Sequence, residues 1–177
     1  PVKPRSIGGI DGKNVYTVRN VADIVHLKDG LEAAGAENTA VIGGGFIGIE
    51  VAENLAKAGK KVTVVEAMSQ ILAPFDYDMV QMLHKELLDN GVSLIVDDGV
   101  KTIEEKQITL ASGKTVPADA VILAIGVAPE TGLEKAAGLE IGETGGILVD
   151  HNYRTSDKNI YAVGDAIEVF DRMTGKP

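Results

Sequence analysis

The chain has 177 residues, of which 45% are hydrophobic and 24% are charged, and these values are typical of a soluble globular domain with one well-buried core. Its net charge of -9 repels polyanions, so neither nucleic acid nor an anionic membrane is expected as a partner. Cysteine is absent, which excludes a disulfide framework, a zinc-thiolate site and a thiol nucleophile in these residues; no apolar stretch approaches the roughly 20 residues of a membrane span, so a cytoplasmic protein is expected.

The first part of the chain predicts one helix and then a βαβ unit. The opening, PVKPRSIGGIDGKNVYTV, is rich in turn residues and is interpreted as an extended lead-in. A helix is predicted from Asn20 to Gly35, where apolar residues recur at helical spacing: Val21, Ile24, Val25, Leu27 and Leu31. NTAVIGGG then predicts a buried strand, FIGIEVAENLAKAGK a helix and KVTVVEA a second strand. The apolar stripe of that second helix is predicted to be Ile47, Val51, Leu55 and Ala58.

The second part of the chain predicts the rest of the sheet. DYDMVQMLHKELLDNG indicates a helix with Asp76 or Asp78 as its N-cap and an apolar face of Val80, Leu83 and Leu87. VSLIVD predicts a third parallel strand, KQITLASGKTVPAD a hairpin or meander, and AVILAIG a central strand. The last fifty residues break into short pieces, and NIYAVGDA is interpreted as a strand of a different sheet. The fold class is therefore α/β, a Rossmann-like doubly wound parallel sheet with a β-meander excursion.

A glycine motif joins the first buried strand to the helix after it. In Gly43-x-Gly45-x-x-Gly48 the glycines permit a tight turn, close approach of a pyrophosphate and close contact of helix and strand, respectively. The helix N-terminus favours the negative charge of a pyrophosphate. Glu66, at the end of the next strand, is placed to accept hydrogen bonds from a ribose 2′-hydroxyl and to repel a 2′-phosphate, which favours NADH over NADPH. The alternative for Glu66 is a solvated carboxylate at a strand end.

Two residues of the helix suggest a role beyond the pyrophosphate, and no others suggest catalysis. Phe46 and Glu50 share a face that leads out of the domain, where a nicotinamide would meet its redox partner. The spacing equally allows Glu50 to be a surface residue near the helix dipole. His84 lies on a polar helix face and is interpreted as a solvated histidine. No catalytic arrangement and no metal-ligand spacing is found, so neither a catalytic residue nor a metal site is predicted.

Three stretches, VIGGGFIGIEVAENLAKAGKKVTVVE, VILAIGVAPET and TSDKNIYAVGDA, together resemble the pyridine nucleotide-disulfide oxidoreductase family. In that family an FAD domain is interrupted by an NAD(P)H domain and is followed by a dimerisation domain. The resemblance implies a lead-in from the FAD domain over residues 1–13, an NAD(H)-binding domain over 14–127 and a return segment of the FAD domain over 128–177. The closing parts look most like the coenzyme A-disulfide reductase and NADH oxidase branch.

The resemblance also implies roles for individual residues. Phe46 matches an aromatic residue that gates the nicotinamide pocket, Glu50 a glutamate that faces nicotinamide and flavin, and Asp165 the acid that binds the FAD ribityl chain. The complete set of cofactor-binding residues expected here is Gly43, Gly44, Gly45, Phe46, Ile47, Gly48, Glu50, Glu66, Ala67, Gly126 and Asp165. A second dinucleotide motif, a redox cysteine and a dimerisation domain are missing, so the sequence resembles a fragment whose single cysteine would lie upstream of Pro1.

The expected function follows from this resemblance. The parent would be an FAD-dependent, homodimeric enzyme in which NADH reduces flavin and the flavin reduces a disulfide, persulfide, peroxide or oxygen; this chain alone would bind NADH without turnover. One alternative is a module that senses the NADH/NAD⁺ ratio without chemistry, although YAVGDA argues against it. Another is a methyltransferase, which also combines a glycine-rich turn with an acid at the second strand end.

Overall fold

The computed structural model describes Pro4, residues 6–170, Met173 and Gly175. Its elements, in chain order, are β1 (Val15–Thr17), α1 (Val21–Ala33), β2 (Asn38–Ile42), α2 (Phe46–Lys57), β3 (Lys61–Val65), α3 (Tyr77–Asp89), β4 (Ser93–Ile95), β5 (Val100–Ile103), β6 (Gln107–Leu110), β7 (Thr115–Pro117), β8 (Ala120–Leu123), α4 (Gly132–Ala136), β9 (Ile147–Leu148) and β10 (Ile167–Glu168). Residues 1–3 and 5 of the expected lead-in, and residues 174, 176 and 177 of the closing TGKP, lie outside the described residues.

The central sheet has five parallel strands in the order β1-β8-β2-β3-β4. Val41 of β2 pairs with Val64 of β3 on one side and with Ile122 of β8 on the other. The predicted Rossmann-like parallel sheet is therefore confirmed, and the AVILAIG strand lies inside it. The lead-in interpretation missed β1, which pairs with β8 at the edge of the sheet. Three residues are too few to show the alternation by which a strand is recognised.

The two faces of the sheet are covered by different layers. Side chains alternate along a strand, so Val41 and Val64 pack with helices α1, α2 and α3, whereas Ala40 and Val65 pack with β5, β6 and β7. Those three strands are antiparallel and form the meander predicted from KQITLASGKTVPAD. The meander thus occupies the face that a second layer of helices covers in a two-sided fold.

The buried faces of the helices differ from the predicted apolar stripes. In α1 only Leu27 and Leu31 are buried, while Val21 is 76% exposed. The stripe predicted for α2 is wrong at Ile47, which is 42% exposed; the face against the sheet consists of Gly48, Ala52 and Leu55. Small residues at two of these three positions allow the helix backbone to lie close to the strands, so the bulkier Ile47 turns outward. In α3 the same correction applies to Leu83, which is 41% exposed.

The chain divides into two compact units, Pro1–Gly126 and Val127–Pro177. Within the second unit, α4 has five residues, and β9 and β10 form a two-stranded parallel sheet of their own. The strand predicted over NIYAVGDA is wrong: Tyr161 makes only an isolated bridge with Arg154, and pairing resumes at β10. A glycine turn at Gly164, with φ of 83°, interrupts that apolar run.

Asp119 directly precedes β8, and its carboxylate binds the start of β2. Its Oδ2 accepts hydrogen bonds from the backbone N–H groups of Asn38 at 2.9 Å and Glu37 at 3.1 Å, and from the Asn38 side-chain amide at 3.2 Å. The Lys106 ammonium donates to Oδ1 at 3.2 Å. These donors, the Asn38 N–H first among them, lower the pKa of Asp119 from 3.8 to about 2 although burial opposes the shift. The carboxylate therefore stabilises the fold only while it is ionised.

Replacing Asp119 with alanine is expected to lower the free energy of unfolding by about 2 kcal/mol at neutral pH. The side chain is only 17% exposed, so solvent screening is limited. Because the folded-state pKa lies below the unfolded-state pKa, the stabilisation is complete above about pH 5 and disappears as the pH falls through about 2. Urea unfolding of both proteins across this range measures the difference.

The control for Asp119 is Asp89→Ala, which removes the exposed partner of Lys85 on α3. Such surface pairs contribute little, so a change below about 0.5 kcal/mol is expected for the control. A loss of stability in Asp119→Ala that stays the same size in acid would contradict the role assigned to the ionised carboxylate.

Candidate functional site

The predicted site residues of the first unit meet at the carboxyl ends of three neighbouring strands. Gly43 follows β2, Glu66 follows β3, and Gly126 lies three residues after β8. These strands are adjacent in the sheet, in the order β8-β2-β3. The carboxyl edge of a parallel sheet is where α/β folds bind their ligands. The residues predicted from separate stretches of sequence therefore lie around one position in the fold.

Gly43 and Gly48 are required by the backbone geometry of the turn. Gly43 has φ of 106°, and a Cβ there would lie 2.5 Å from the Ala124 carbonyl oxygen. A Cβ on Gly48 would overlap the carbonyl oxygen of Gly43. Neither position can hold a side chain, so the tight turn from β2 into α2 requires glycine at both.

Gly45 is the N-cap of α2, and its surroundings are open. Its φ of -77° and ψ of -177° suit any residue, and no atom lies within 4 Å of the position of a Cβ. Without a side chain, Gly45 cannot cap the helix, so the N–H groups of the first turn are left for solvent or a ligand. An anion that approaches Gly45 would meet these donors at the positive end of the helix dipole.

Glu66 is half-buried beside the glycine turn. Its Oε2 accepts a hydrogen bond from the Gly44 N–H at 2.7 Å, and its Oε1 accepts one from the Met68 N–H at 2.8 Å. The carboxylate therefore connects the turn after β2 to the loop after β3. Each of its oxygens keeps further acceptor capacity, since an ionised carboxylate has about four lone-pair sites. Either oxygen can therefore accept a further hydrogen bond while it keeps its present one.

A segment that the sequence did not single out supports the turn from the other side. The Leu72 N–H donates to the Gly44 carbonyl oxygen at 2.8 Å, and a Cβ on Gly44 would lie 2.5 Å from Cγ2 of the fully buried Ile71. Leu72 has φ of 47°, a left-handed conformation that is strained for a branched residue. Nothing in the spacing of this stretch indicates the contact, because it joins residues that are almost thirty positions apart.

Two predicted residues of α2, Phe46 and Glu50, point away from the core as expected. Phe46 is 61% exposed, and its ring meets that of Phe75 edge to face with centroids 5.9 Å apart. Glu50 is exposed and lines a groove of about 720 Å³ between α1 and α2, together with Ile47. The roles that the family resemblance gives them remain predictions.

The last two predicted residues lie in different settings. Gly126 has φ of 108° and open space around its Cβ position at the end of the first unit. Asp165 is exposed and belongs to the second unit, just after Gly164 and before β10. Gly126 follows β8, which is the neighbour of β2 in the sheet, and this places Gly126 at the same sheet edge as the glycine turn. Asp165 belongs to the second unit and is not part of that edge.

His84 is not the solvated side chain that its neighbours in sequence suggest. It is half-buried, and the Ile71 N–H donates to its Nε2 at 3.4 Å. Burial lowers the pKa of His84 below the usual value of 6.5. The polar neighbours Lys85 and Glu86 occupy the outer face of α3, and this pattern concealed the inward orientation of His84.

The site offers hydrogen-bond donors and one strong acceptor group. The backbone N–H groups at the start of α2 can donate to an anion, and the Glu66 carboxylate can accept hydrogen bonds from hydroxyl groups. No group of three His, Asp or Glu side chains among the described residues is arranged to hold a metal ion. No helix in the described part of the chain could cross a membrane.

Comparison with known proteins identifies the family. The sequence matches the pyridine nucleotide-disulphide oxidoreductase family over residues 1–175. The chain belongs to this family. It is 37% identical to an NADH oxidase of Methanocaldococcus jannaschii over 174 residues, and 36% identical to an NAD(P)H coenzyme A polysulfide/persulfide reductase of Pyrococcus horikoshii over 177 residues. These alignments cover 96% and 97% of this chain but 39% of each relative, so the chain spans about two fifths of their length.

Solved structures of family members have the same fold. The reduced CoADR-RHD protein of Bacillus anthracis superimposes with a TM-score of 0.91 and 44% identity, over 99% of this chain and 32% of that one. The water-forming NADH oxidase of Lactobacillus brevis, bound to NADH, gives a TM-score of 0.84 and 31% identity over 99% of this chain and 39% of that one. An engineered form of that oxidase, bound to NADPH, gives 0.87 and 28% over the same shares. Family members use NAD(H) and FAD.

Proposed function

We propose that this chain is the NADH-binding part of an FAD-dependent oxidoreductase of this family. The observation that carries the proposal is the open N-terminus of α2 at Gly45, next to the Glu66 carboxylate at the end of β3. Gly43, Gly44, Gly45 and Gly48 hold the pyrophosphate, and Glu66 holds the adenosine ribose. Bound NADH would supply the hydride that reduces the flavin. Phe46 and Glu50 lie on the side of α2 that faces the nicotinamide.

The remainder of the parent enzyme is inferred from the family. Residues 1–13 and 128–177 are assigned to its FAD domain, with Asp165 binding the flavin side chain, and the parent is a homodimer. Its final acceptor belongs to the group of disulfides, persulfides, peroxide and oxygen, in keeping with the names of the relatives. Because Asp165 is the only flavin ligand assigned in this chain, the 177-residue chain is expected to purify with little flavin.

Preference for NADH over NADPH is attributed to Glu66, whose negative charge would repel a 2′-phosphate. The engineered NADPH-bound oxidase supports this assignment. Five residues were replaced in that oxidase: an aspartate, the alanine and the methionine that follow the aspartate, a glycine 18 positions before the aspartate, and a proline. This chain has Glu66, Ala67 and Met68 in the same spacing from Gly48.

Calorimetric titration of the 177-residue chain tests the proposal. One NADH is expected to bind per chain, with NADPH at least about tenfold weaker because of the repulsion at Glu66. S-adenosylmethionine is titrated as the control ligand, because a methyltransferase site would bind it in preference to NADH. Binding of S-adenosylmethionine without NADH would contradict the function. A stoichiometric flavin absorbance band in the purified chain would contradict its assignment as a fragment that lacks most of the FAD site.

A further inference from the structure

A continuous set of contacts joins α3 to the glycine turn. His84 of α3 accepts the Ile71 N–H through Nε2 at 3.4 Å. The Ile71 side chain is fully buried and fills the space beside Gly44, while the Leu72 N–H donates to the Gly44 carbonyl oxygen at 2.8 Å. Gly44 directly precedes Gly45, whose open position marks the N-terminus of α2. Two consecutive backbone N–H groups are thus fixed, one by the histidine and one by the turn.

Leu72 shows that this arrangement depends on its contacts. Its φ of 47° is unfavourable for a leucine and persists only where surrounding interactions impose it. The hydrogen bonds at Ile71 and Leu72, and the complete burial of Ile71, are the interactions that impose it. If the bond to His84 is lost, the segment can relax, and the Gly44 carbonyl oxygen loses the support of the Leu72 N–H.

The His84 ring can accept this bond only in its neutral form. Nε2 then carries a lone pair and the proton lies on Nδ1; protonation of Nε2 would set two donors against each other. The charged side chains of α3 are Asp78, Lys85, Glu86 and Asp89, with Asp76 at its N-cap; Lys85 pairs with Asp89, and Glu86 accepts a hydrogen bond from Asn90. Glu53 of α2 pairs with Lys57, and the loops carry Glu66, Asp97 and Asp98. Burial is the cause that lowers the pKa of His84.

We propose that His84 is a positioning residue for the pyrophosphate-binding turn: its neutral imidazole fixes Ile71, Ile71 and Leu72 fix Gly44, and protonation weakens ligand binding. The proposal rests on the proposed function, because it assumes that the turn binds a pyrophosphate. The bond forms only with the neutral ring, so it is lost as the pH falls through the folded-state pKa of His84, which burial places below 6.5. His84 does not contact the ligand and acts only through the turn.

Titration of the 177-residue chain with ADP-ribose tests the link at about pH 8 and at a pH about one unit below the pKa of His84, which imidazole chemical shifts measure on the same chain. ADP-ribose is the probe because it carries the pyrophosphate and adenosine and withstands mild acid. Between these pH values the wild-type affinity for ADP-ribose is expected to fall by a factor about three to five times larger than the factor for His84→Gln. The variant is expected to keep its affinity because the glutamine amide oxygen accepts the Ile71 N–H at both pH values. The matched control His26→Gln removes a histidine from α1 and is expected to keep the wild-type pH profile.

Amide hydrogen exchange of the free chain separates this proposal from the function on which it rests. The protection factor of the Leu72 amide, corrected for intrinsic exchange, is expected to fall about threefold between those pH values in the wild type and to stay constant in His84→Gln. Equal pH profiles for wild type and His84→Gln in both experiments would overturn the role of His84. Failure of ADP-ribose to bind at about pH 8 would instead overturn the function, while exchange at Leu72 would still decide the link.

Discussion

Gly45→Ser is expected to weaken NADH binding by at least about tenfold while leaving the stability of the chain unchanged or higher by a few tenths of a kcal/mol. The backbone of Gly45 suits an N-cap serine, and no atom obstructs a side chain there. The hydroxyl would accept an N–H of the first turn of α2, which stabilises the helix. The same hydroxyl would occupy the approach of the pyrophosphate and use one of its donors. Calorimetry and urea unfolding measure the two effects separately.

Gly43→Ser provides the contrasting control for this experiment. Its φ of 106° and the Ala124 carbonyl oxygen at 2.5 Å from a Cβ leave no room for a side chain. The free energy of unfolding is expected to fall by about 2 to 4 kcal/mol, because both backbone strain and overlap must be relieved. An unchanged NADH affinity in Gly45→Ser would contradict a pyrophosphate site at the N-terminus of α2, because a side chain at Gly45 would obstruct such a site.

A double replacement, Glu66→Gln with Ala67→Arg, is expected to reverse the nucleotide preference, so that NADPH binds at least about tenfold more tightly than NADH. Glutamine removes the charge that repels a 2′-phosphate but keeps an oxygen acceptor beside Gly44. Ala67 is exposed, so a larger side chain is tolerated there, and the arginine is expected to contact the 2′-phosphate. Dissociation constants for both nucleotides, measured on one preparation, give the preference as a ratio.

Single replacements separate the two contributions. Glu66→Gln alone is expected to reduce the preference for NADH without reversing it, because the repulsion disappears and no attraction replaces it. Ala67→Arg alone is expected to change the ratio little, since the Glu66 carboxylate neutralises the guanidinium. Gly48 is left unchanged because a Cβ there would overlap Gly43. Unaltered ratios in the double variant would show that Glu66 does not face the ribose.

The fold was predictable where buried residues follow a long, regular pattern. The strands β2, β3 and β8 and the helices α1, α2 and α3 each provide such a pattern. Prediction from such patterns fails for β1, because its pairing extends over only three residues. It also fails for NIYAVGDA, where a single bridge and a glycine turn replace a strand. It also misassigns the buried face of α2, because small residues such as Gly48 and Ala52 contribute little to an apolar stripe and still determine which side approaches the sheet.

The candidate site was predictable only in its local part. The glycines and Glu66 form a spaced pattern in which each residue has a separate physical reason for its place. The supports of the turn form no such pattern. Ile71, Leu72 and His84 act through contacts between distant stretches, and the orientation of His84 is set by the packing of α3 rather than by its polar neighbours in sequence. Such contacts emerge only when the chain is folded.

NADH binding at the glycine turn is the central claim, and an amide chemical-shift titration of the 177-residue chain with NADH tests it most directly. Saturating shifts are predicted for residues 44–48 at the start of α2, for residues 66–68 after β3 and for Gly126 after β8, with one NADH per chain. Shifts confined to another surface, such as the groove between α2 and α3, or no shifts at all, would contradict the claim.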